Sequence, residues 1–252
     1  MKILVIIRAV VDTNTMPQIS LDTQQIDTRY LKISINSYDE RAVEEAVKLK
    51  RQLADGTTVS VLAIGNNTET ILRNSLARGA DEAFQVNCPP TDDDLSLARI
   101  IEFWIKHSQI ATPNLILLGC QSTDTDTLFL APMLANLINY SVATDIYKII
   151  IGDKINFVFN NGDTRVLENQ MVLSVSHTIN TPSFLKLPDI IAAKKKPLNI
   201  VDLPTEHYQQ LADNLLSIEK VQYPDNKRDC KFIQYDELLS LLKLQQQENS
   251  NG

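Results

Sequence analysis

Glycine is scarce, with seven in 252 residues. The G-x-G-x-x-G fingerprint, the Walker A run and the G-x-S-x-G elbow are all missing. Each needs glycine to bring backbone close to a phosphate or to set a nucleophile on a sharp turn. A glycine-rich phosphate cradle is therefore excluded. Three cysteines (Cys88, Cys120, Cys230) are odd in number and far apart, and the three histidines (His107, His177, His207) share no ligand spacing with them. Neither a disulfide framework nor a zinc site is indicated, and a reduced, intracellular setting fits best. Lys and Arg number 24 against 31 Asp and Glu, a net charge of −7, which argues against a nucleic-acid partner. No apolar run approaches the ~20 residues that span a bilayer. Lys2–Ile7 is too short for a signal-peptide core, and Arg8 interrupts it. A soluble protein without membrane insertion is expected.

What is present reads as α/β. The chain is 44% hydrophobic, and its length suffices for one full core with an appendage. Ile3–Ile7 is a continuous apolar run, the mark of a strand buried on both faces. Polar, irregular sequence follows from Asp12 to Arg29. Ser37-Tyr38-Asp39-Glu40 then spells a capping box. Behind it Ala42, Ala46, Leu49 and Leu53 mark one helical face, ended by Asp55-Gly56. Strands are predicted over Val59–Ile64 and Ala83–Val86, with a helix over Thr68–Arg78 between them and Gly79 at its end. Thr91, followed by Asp92, Asp93 and Asp94, predicts a helix start, and that helix runs to about His107. Leu115–Leu118 is a fourth strand, leading into the loop Gly119–Asp126 and a helix from near Thr127 to Ile138.

This alternation predicts a doubly wound, mostly parallel sheet. Past it, Ile146–Ile151, Ile155–Phe159 and Thr164–Leu167 are separated by turn residues and predict added antiparallel strands. Residues 1–198 form the expected α/β nucleotide-binding domain, and 199–252 an extended C-terminal arm. The arm contains a predicted amphipathic helix, Tyr235–Gln246.

Ligands of open α/β sheets bind beyond the carboxyl ends of the strands. Ile6–Val10, Asn36–Asp39, Ile64–Asn66 and Gly119–Leu130 converge there. The candidate nucleotide site comprises Ile6, Asn36, Ser37, Tyr38, Asp39, Ile64, Gly119, Gln121, Ser122, Thr123, Asp124, Thr125, Asp126, Thr127 and Leu130. A helix starting near Thr127 offers amides to a phosphate, with Thr125 and Thr127 as hydroxyl donors. Asp124 and Asp126 repel phosphate. On the residues alone they serve either as caps or as acceptors for ribose hydroxyls or a cation. A second candidate is the run from Leu187-Pro188 through Ile190-Ile191 to Lys194-Lys195-Lys196, where apolar side chains adjoin a basic cluster. A solvated surface and a docking knob are its two readings.

Several segments together resemble the β subunit of the electron transfer flavoproteins. They are Lys2–Val5 with Val11-Asp12, Ile35–Glu40 leading into Ala42–Ala46, Leu76–Asp81, Gly119-Cys120-Gln121 with Asp124 and Asp126, and Leu187-Pro188 through Pro197. The resemblance implies a non-enzymatic carrier subunit that pairs with an α subunit holding most of the FAD contacts. It implies an AMP site formed by the four convergent segments, an apolar docking loop (183–197) for partner dehydrogenases, and an arm around α. The setting it implies is the bacterial cytoplasm, or the mitochondrial matrix in a eukaryote.

There are departures. Cys120 stands where the family commonly has Lys or Arg, and Leu128, Phe129 and Leu130 replace polar residues. Asp189 and Ala192 replace commoner Asn and Lys in the docking loop. The Asp124–Thr127 run, with Pro132 beyond, is partly similar to bifurcating relatives that hold a second FAD here. Asn36–Glu40 is similar to the AMP form. A stand-alone adenine-nucleotide-binding protein of the α-hydrolase or universal-stress type is the remaining alternative.

Overall fold

The computed structural model describes residues 1–12, 14–16, 18–20, 26–27, 31–53, 56–89, 91, 93–212, 221–222, 232–235 and 237–239. The apolar runs become strands: β1 (Lys2–Ile7), β6 (Thr58–Ile64), β7 (Glu82–Asn87), β8 (Leu115–Gly119) and β12 (Met171–Val175). Short strands β2 (Ala9–Val11) and β5 (Ile33–Ile35) pair antiparallel, as do β3 (Gln18–Ile19) and β4 (Ile26–Asp27). The remaining strands are β9 (Ser141–Ile151), β10 (Ile155–Phe159), β11 (Thr164–Val166) and β13 (Leu198–Asp202). The helices are α1 (Ser37–Leu53), α2 (Glu69–Arg78), α3 (Asp94–His107), α4 (Leu130–Ile138), α5 (Leu187–Ala193) and α6 (Thr205–Leu211).

Nine strands form one sheet in the order β11-β10-β9-β12-β8-β1-β6-β7-β13. Pairing is parallel from β9 through β13, and β10 and β11 are added antiparallel at one edge. Strand β1 alternates sides, with Ile3, Val5 and Ile7 facing one core and Leu4 and Ile6 the other. The first core is closed by α1, α2 and Ala193 of α5, the second by α3 and α4, with Tyr208 and Leu211 of α6 packed against it. Two covered faces require strands that are apolar on both sides, and β1 and β8 are buried almost throughout. The doubly wound sheet with antiparallel additions is therefore what the chain forms.

Several expectations need correction. The Ser37–Glu40 capping box does not close, because Arg78 draws the Glu40 carboxylate away while the Glu40 amide bonds the Asn36 carbonyl as the first helical turn. The cap of α3 is Asp93 and not Thr91: its carboxylate accepts from the Leu95 and Ser96 amides at 3.0 and 2.9 Å. Helix α4 starts at Leu130, three residues later than expected. The 183–197 segment is not all loop, since α5 occupies its middle. The sheet also continues past residue 198, because β13 pairs in parallel with β7 and Leu203 packs beneath it. Most of the predicted arm, and of the Tyr235–Gln246 helix, lies outside the described residues.

Candidate functional site

The chain runs from β1 to β6 and β7 on one side, then crosses to β8 and β12 on the other. The point where strand order reverses therefore lies between β1 and β8, the crevice where open α/β sheets hold ligands. The start of α1 fills its floor. Asp39, fully buried, accepts from the Gly119 amide through Oδ1 at 2.7 Å, and from the Arg8 amide and Nε through Oδ2 at 2.8 and 3.3 Å. One carboxylate thus ties together the carboxyl ends of β1 and β8 and the first turn of α1. Glycine is required at 119 because any Cβ there would collide with the Tyr38 Cβ and lie 2.6 Å from Asp39 Oδ1.

The walls follow from the same turn. Asn36 Nδ2 donates to the Gln121 carbonyl at 2.8 Å, and the Tyr38 hydroxyl donates to Gln121 Oε1 at 3.2 Å. Gln121 Nε2 in turn donates to Asp126 Oδ1 at 2.9 Å. The 122–127 loop closes on itself: the Ser122 amide donates to the Thr127 carbonyl, and the Asp126 amide to the Ser122 carbonyl, both at 3.0 Å. Asp126 takes a left-handed conformation (φ 56°), which Asp tolerates better than most residues. The Ser122 hydroxyl donates to Asp124, and the Thr125 and Thr127 hydroxyls lie 3.2 Å apart. Thr123 is half-buried and Ser37 exposed on the same rim.

Ile6, Ile64 and Leu130 reach the site differently. Ile6 and Leu130 are buried in the second core and Ile64 packs against it, so they support the edge from beneath. The start of α4 also offers fewer donors than expected. Asp94 of α3 accepts from the Thr127 hydroxyl at 3.2 Å and from the Phe129 amide at 3.1 Å, and Pro132 has no amide hydrogen.

Charge at this edge is mostly negative, from Asp94, Asp124 and Asp126, with the Arg8 guanidinium opposed to Asp39. Burial raises the Tyr38 phenol above its ordinary value, and Cys120, Asp126 and Asp145 add to the rise. Burial, with Asp145 beside it, pushes the Cys120 thiol up to about 11, which keeps it neutral and unreactive at neutral pH. No cluster of metal-ligating side chains occurs among the described residues. Two buried atoms here have no partner, Asn36 Oδ1 and Arg8 Nη2. Arg8 and Asp94 were not anticipated as site residues. For Arg8 the signal available was a lone cation directly after a buried strand.

The second candidate forms a separate surface. Leu187, Pro188, Ile190 and Ile191 are exposed on α5, Phe184 before it is 99% exposed, and Lys194 and Lys195 are exposed after it. Lys196 is a correction: its ammonium donates to the Leu76 and Ala80 carbonyls at 2.9 and 2.6 Å. It is a staple onto α2 and not part of a basic rim. Burial lowers its pKa, and Lys50 contributes. Arg73 Nη1 completes the clamp on the Ala193 and Lys196 carbonyls at 3.1 and 3.0 Å. A cavity of about 560 Å³ lies elsewhere, beside Lys2, Ser60, Phe84, Trp104 and His107. It shares no residue with the Asp39 cradle. No described helix is long and apolar enough to cross a membrane.

Residues 23–206 match the model of the electron transfer flavoprotein domain. The probable electron transfer flavoprotein subunit beta of Saccharomyces cerevisiae is 30% identical over 96% of this chain and 96% of its own length. The electron transfer flavoprotein subunit beta of Bradyrhizobium diazoefficiens is 35% identical over 79% of this chain and 80% of its own. The Homo sapiens subunit beta is 26% identical over 96% and 97%. With a domain match across most of its length and near full-length relatives, the chain belongs to the electron transfer flavoprotein domain family.

Proposed function

We propose that this chain is the β subunit of a heterodimeric electron transfer flavoprotein, a carrier that accepts electrons from dehydrogenases and passes them to a membrane-bound acceptor. In this reading β holds a structural AMP at the carboxyl edge of its sheet, and the α subunit holds most of the FAD contacts. The observation that carries it is the Asp39 bridge across the point where strand order reverses, which builds a polar cradle at the place such sheets bind ligands. When bound, FAD supplies the redox chemistry. This chain's residues orient and enclose. Asp39 fixes both strand ends, Asn36, Tyr38 and Gln121 form one wall, and Asp124 and Asp126 offer acceptors suited to ribose hydroxyls. On a separate face α5 presents Leu187, Ile190 and Ile191 to a partner dehydrogenase, with Lys194 and Lys195 steering acidic surfaces. The protein works in the bacterial cytoplasm, or in the mitochondrial matrix of a eukaryote.

One observation favours a second FAD in place of AMP: Leu128 and Phe129 stand exposed beside the 122–127 loop, an apolar area suited to a flavin ring. A stand-alone nucleotide-binding protein leaves the exposed apolar face of α5 without a role. Co-expression with a candidate α subunit tests the reading. A yellow one-to-one heterodimer in size-exclusion chromatography is expected. A stable, colourless monomer that ignores α would overturn it.

A further inference from the structure

Helix α5 cannot keep its place by burial. It has seven residues, of which only Ala193 is buried. A helix that short is marginal without tertiary support. The chain reaches it from β12 through residues 176–186, which carry neither helix nor strand. Polar bonds supply the hold. Upstream, Arg78 of α2 is the centre: its side chain is 5% exposed, and its guanidinium donates to the Ser183 carbonyl at 2.7 Å, to Glu44 at 2.9 Å and to Glu40. Glu44 also accepts from the Ser183 amide and hydroxyl, at 3.3 and 3.1 Å. One guanidinium and one carboxylate thus hold both backbone groups of Ser183. Three residues earlier, Asn180 Nδ2 donates to the Arg41 carbonyl and to Glu45, both at 3.1 Å. Downstream, the same helix α2 supplies Arg73, which clamps the Ala193 and Lys196 carbonyls. Between the two clamps stand Phe184, Leu187, Ile190 and Ile191, all exposed.

A buried ion pair adds little net stability over an apolar replacement of similar volume, because desolvation offsets the attraction. What an arginine adds is direction, since its planar fork fixes acceptors on two elements at once. We infer that Arg78 is a positioning residue for docking: by tying Ser183 to α1 and α2 it sets where Leu187 and its neighbours stand, a role that rests on the docking reading of α5 given above. Arg78 is itself buried, so it acts on a partner only through α5. A segment aimed in advance lowers the ordering cost of association.

The test is a double-mutant cycle on the heterodimer, Arg78→Lys against Leu187→Ala, read as the KM of a dehydrogenase that reduces the wild type. Lysine keeps a charge beside Glu40 and Glu44 but loses the fork. Arg78→Lys should raise KM about three- to tenfold, within the coupling range of one hydrogen-bonded network, and leave kcat unchanged. Hydrogen exchange over residues 184–192 should quicken. Reduction of the flavin by dithionite, which needs no docking, should match the wild type. In the Leu187→Ala background the same change should add no more than about twofold, because the anchor it aims is gone. A purely structural arginine would give one factor in both backgrounds, or none in either, and each of those results overturns the inference. If Arg78→Lys does not fold, Glu44→Gln, which loosens Ser183 from the other side, takes its place in the cycle with the same expectations. Wild-type KM for Leu187→Ala overturns the docking reading and this inference together. A raised KM for Leu187→Ala with a wild-type KM for Arg78→Lys overturns this inference alone.

Discussion

Asp39 accepts three hydrogen bonds while fully buried, so Asp39→Asn would leave the Arg8 guanidinium buried beside a group without charge. Breaking a buried pair from one side costs about 3–5 kcal/mol, and denaturant unfolding should show a loss of that size. Gly119→Ala should cost about 1–3 kcal/mol by overpacking against Tyr38 and Asp39. Gly152→Ala is its control, since the nearest atom to a Cβ there is the Lys154 carbonyl oxygen at 3.8 Å, and it should shift stability by no more than about 0.5 kcal/mol. Cys120 supplies a pH test. Its thiol is raised from 9.0 to about 11, so folding favours the neutral form. The associated stability is complete below pH 9 and is lost as pH rises towards 11. Alkylation of Cys120 by iodoacetamide should accordingly be slow at pH 7–8 and accelerate only above pH 9. Rapid modification at pH 7 would contradict the half-buried, neutral thiol. Asp39 itself was legible as part of the edge, but its three bonds were not, because they join residues 31 and 80 positions apart.

At the scale of elements, α5 is flanked by a lysine that anchors it, Lys196, and by exposed lysines that do not, Lys194 and Lys195. Lys196→Ala removes an ammonium that bonds two carbonyls of the α2 C-terminus, and should cost roughly 1–3 kcal/mol. Lys194→Ala and Lys195→Ala, both exposed, should leave stability within about 0.5 kcal/mol. They should instead lower the rate of association with an acidic dehydrogenase and flatten its salt dependence. Leu187→Ala should slow electron transfer from the dehydrogenase about tenfold, since burying a leucine contributes roughly 1.5–3 kcal/mol. Flavin content should not change. Steady-state transfer at several ionic strengths checks both effects, and wild-type behaviour of Leu187→Ala would refute the apolar anchor. Sequence periodicity reads these elements unevenly. Pro188 looks like a breaker yet sits in the first turn of α5, where its missing amide hydrogen costs nothing. Pro132 was the available sign that α4 begins just before it, whereas Asp126 and Thr127 imitate caps without starting the helix. Strand β13 escaped notice because it is an edge strand, with only Leu198 partly buried.

The whole molecule is legible where two covered faces force unbroken apolar runs, as in β1 and β8. It is less legible at the sheet edges, where apolar side chains stand exposed. Val142, Ile150 and Val166 are exposed on the β9–β10–β11 edge and Ile200 and Val201 on β13. Expressed alone, the protein should aggregate in light scattering and bind little flavin, because contiguous exposed apolar patches are uncommon on stable monomers. The central claim is a β subunit with AMP in the Asp39 cradle. Acid extraction of the purified heterodimer, followed by chromatographic quantification of released nucleotides, tests it most directly. The account predicts one FAD and one AMP per heterodimer; two FAD with no AMP, or FAD alone with the cradle empty, would contradict it.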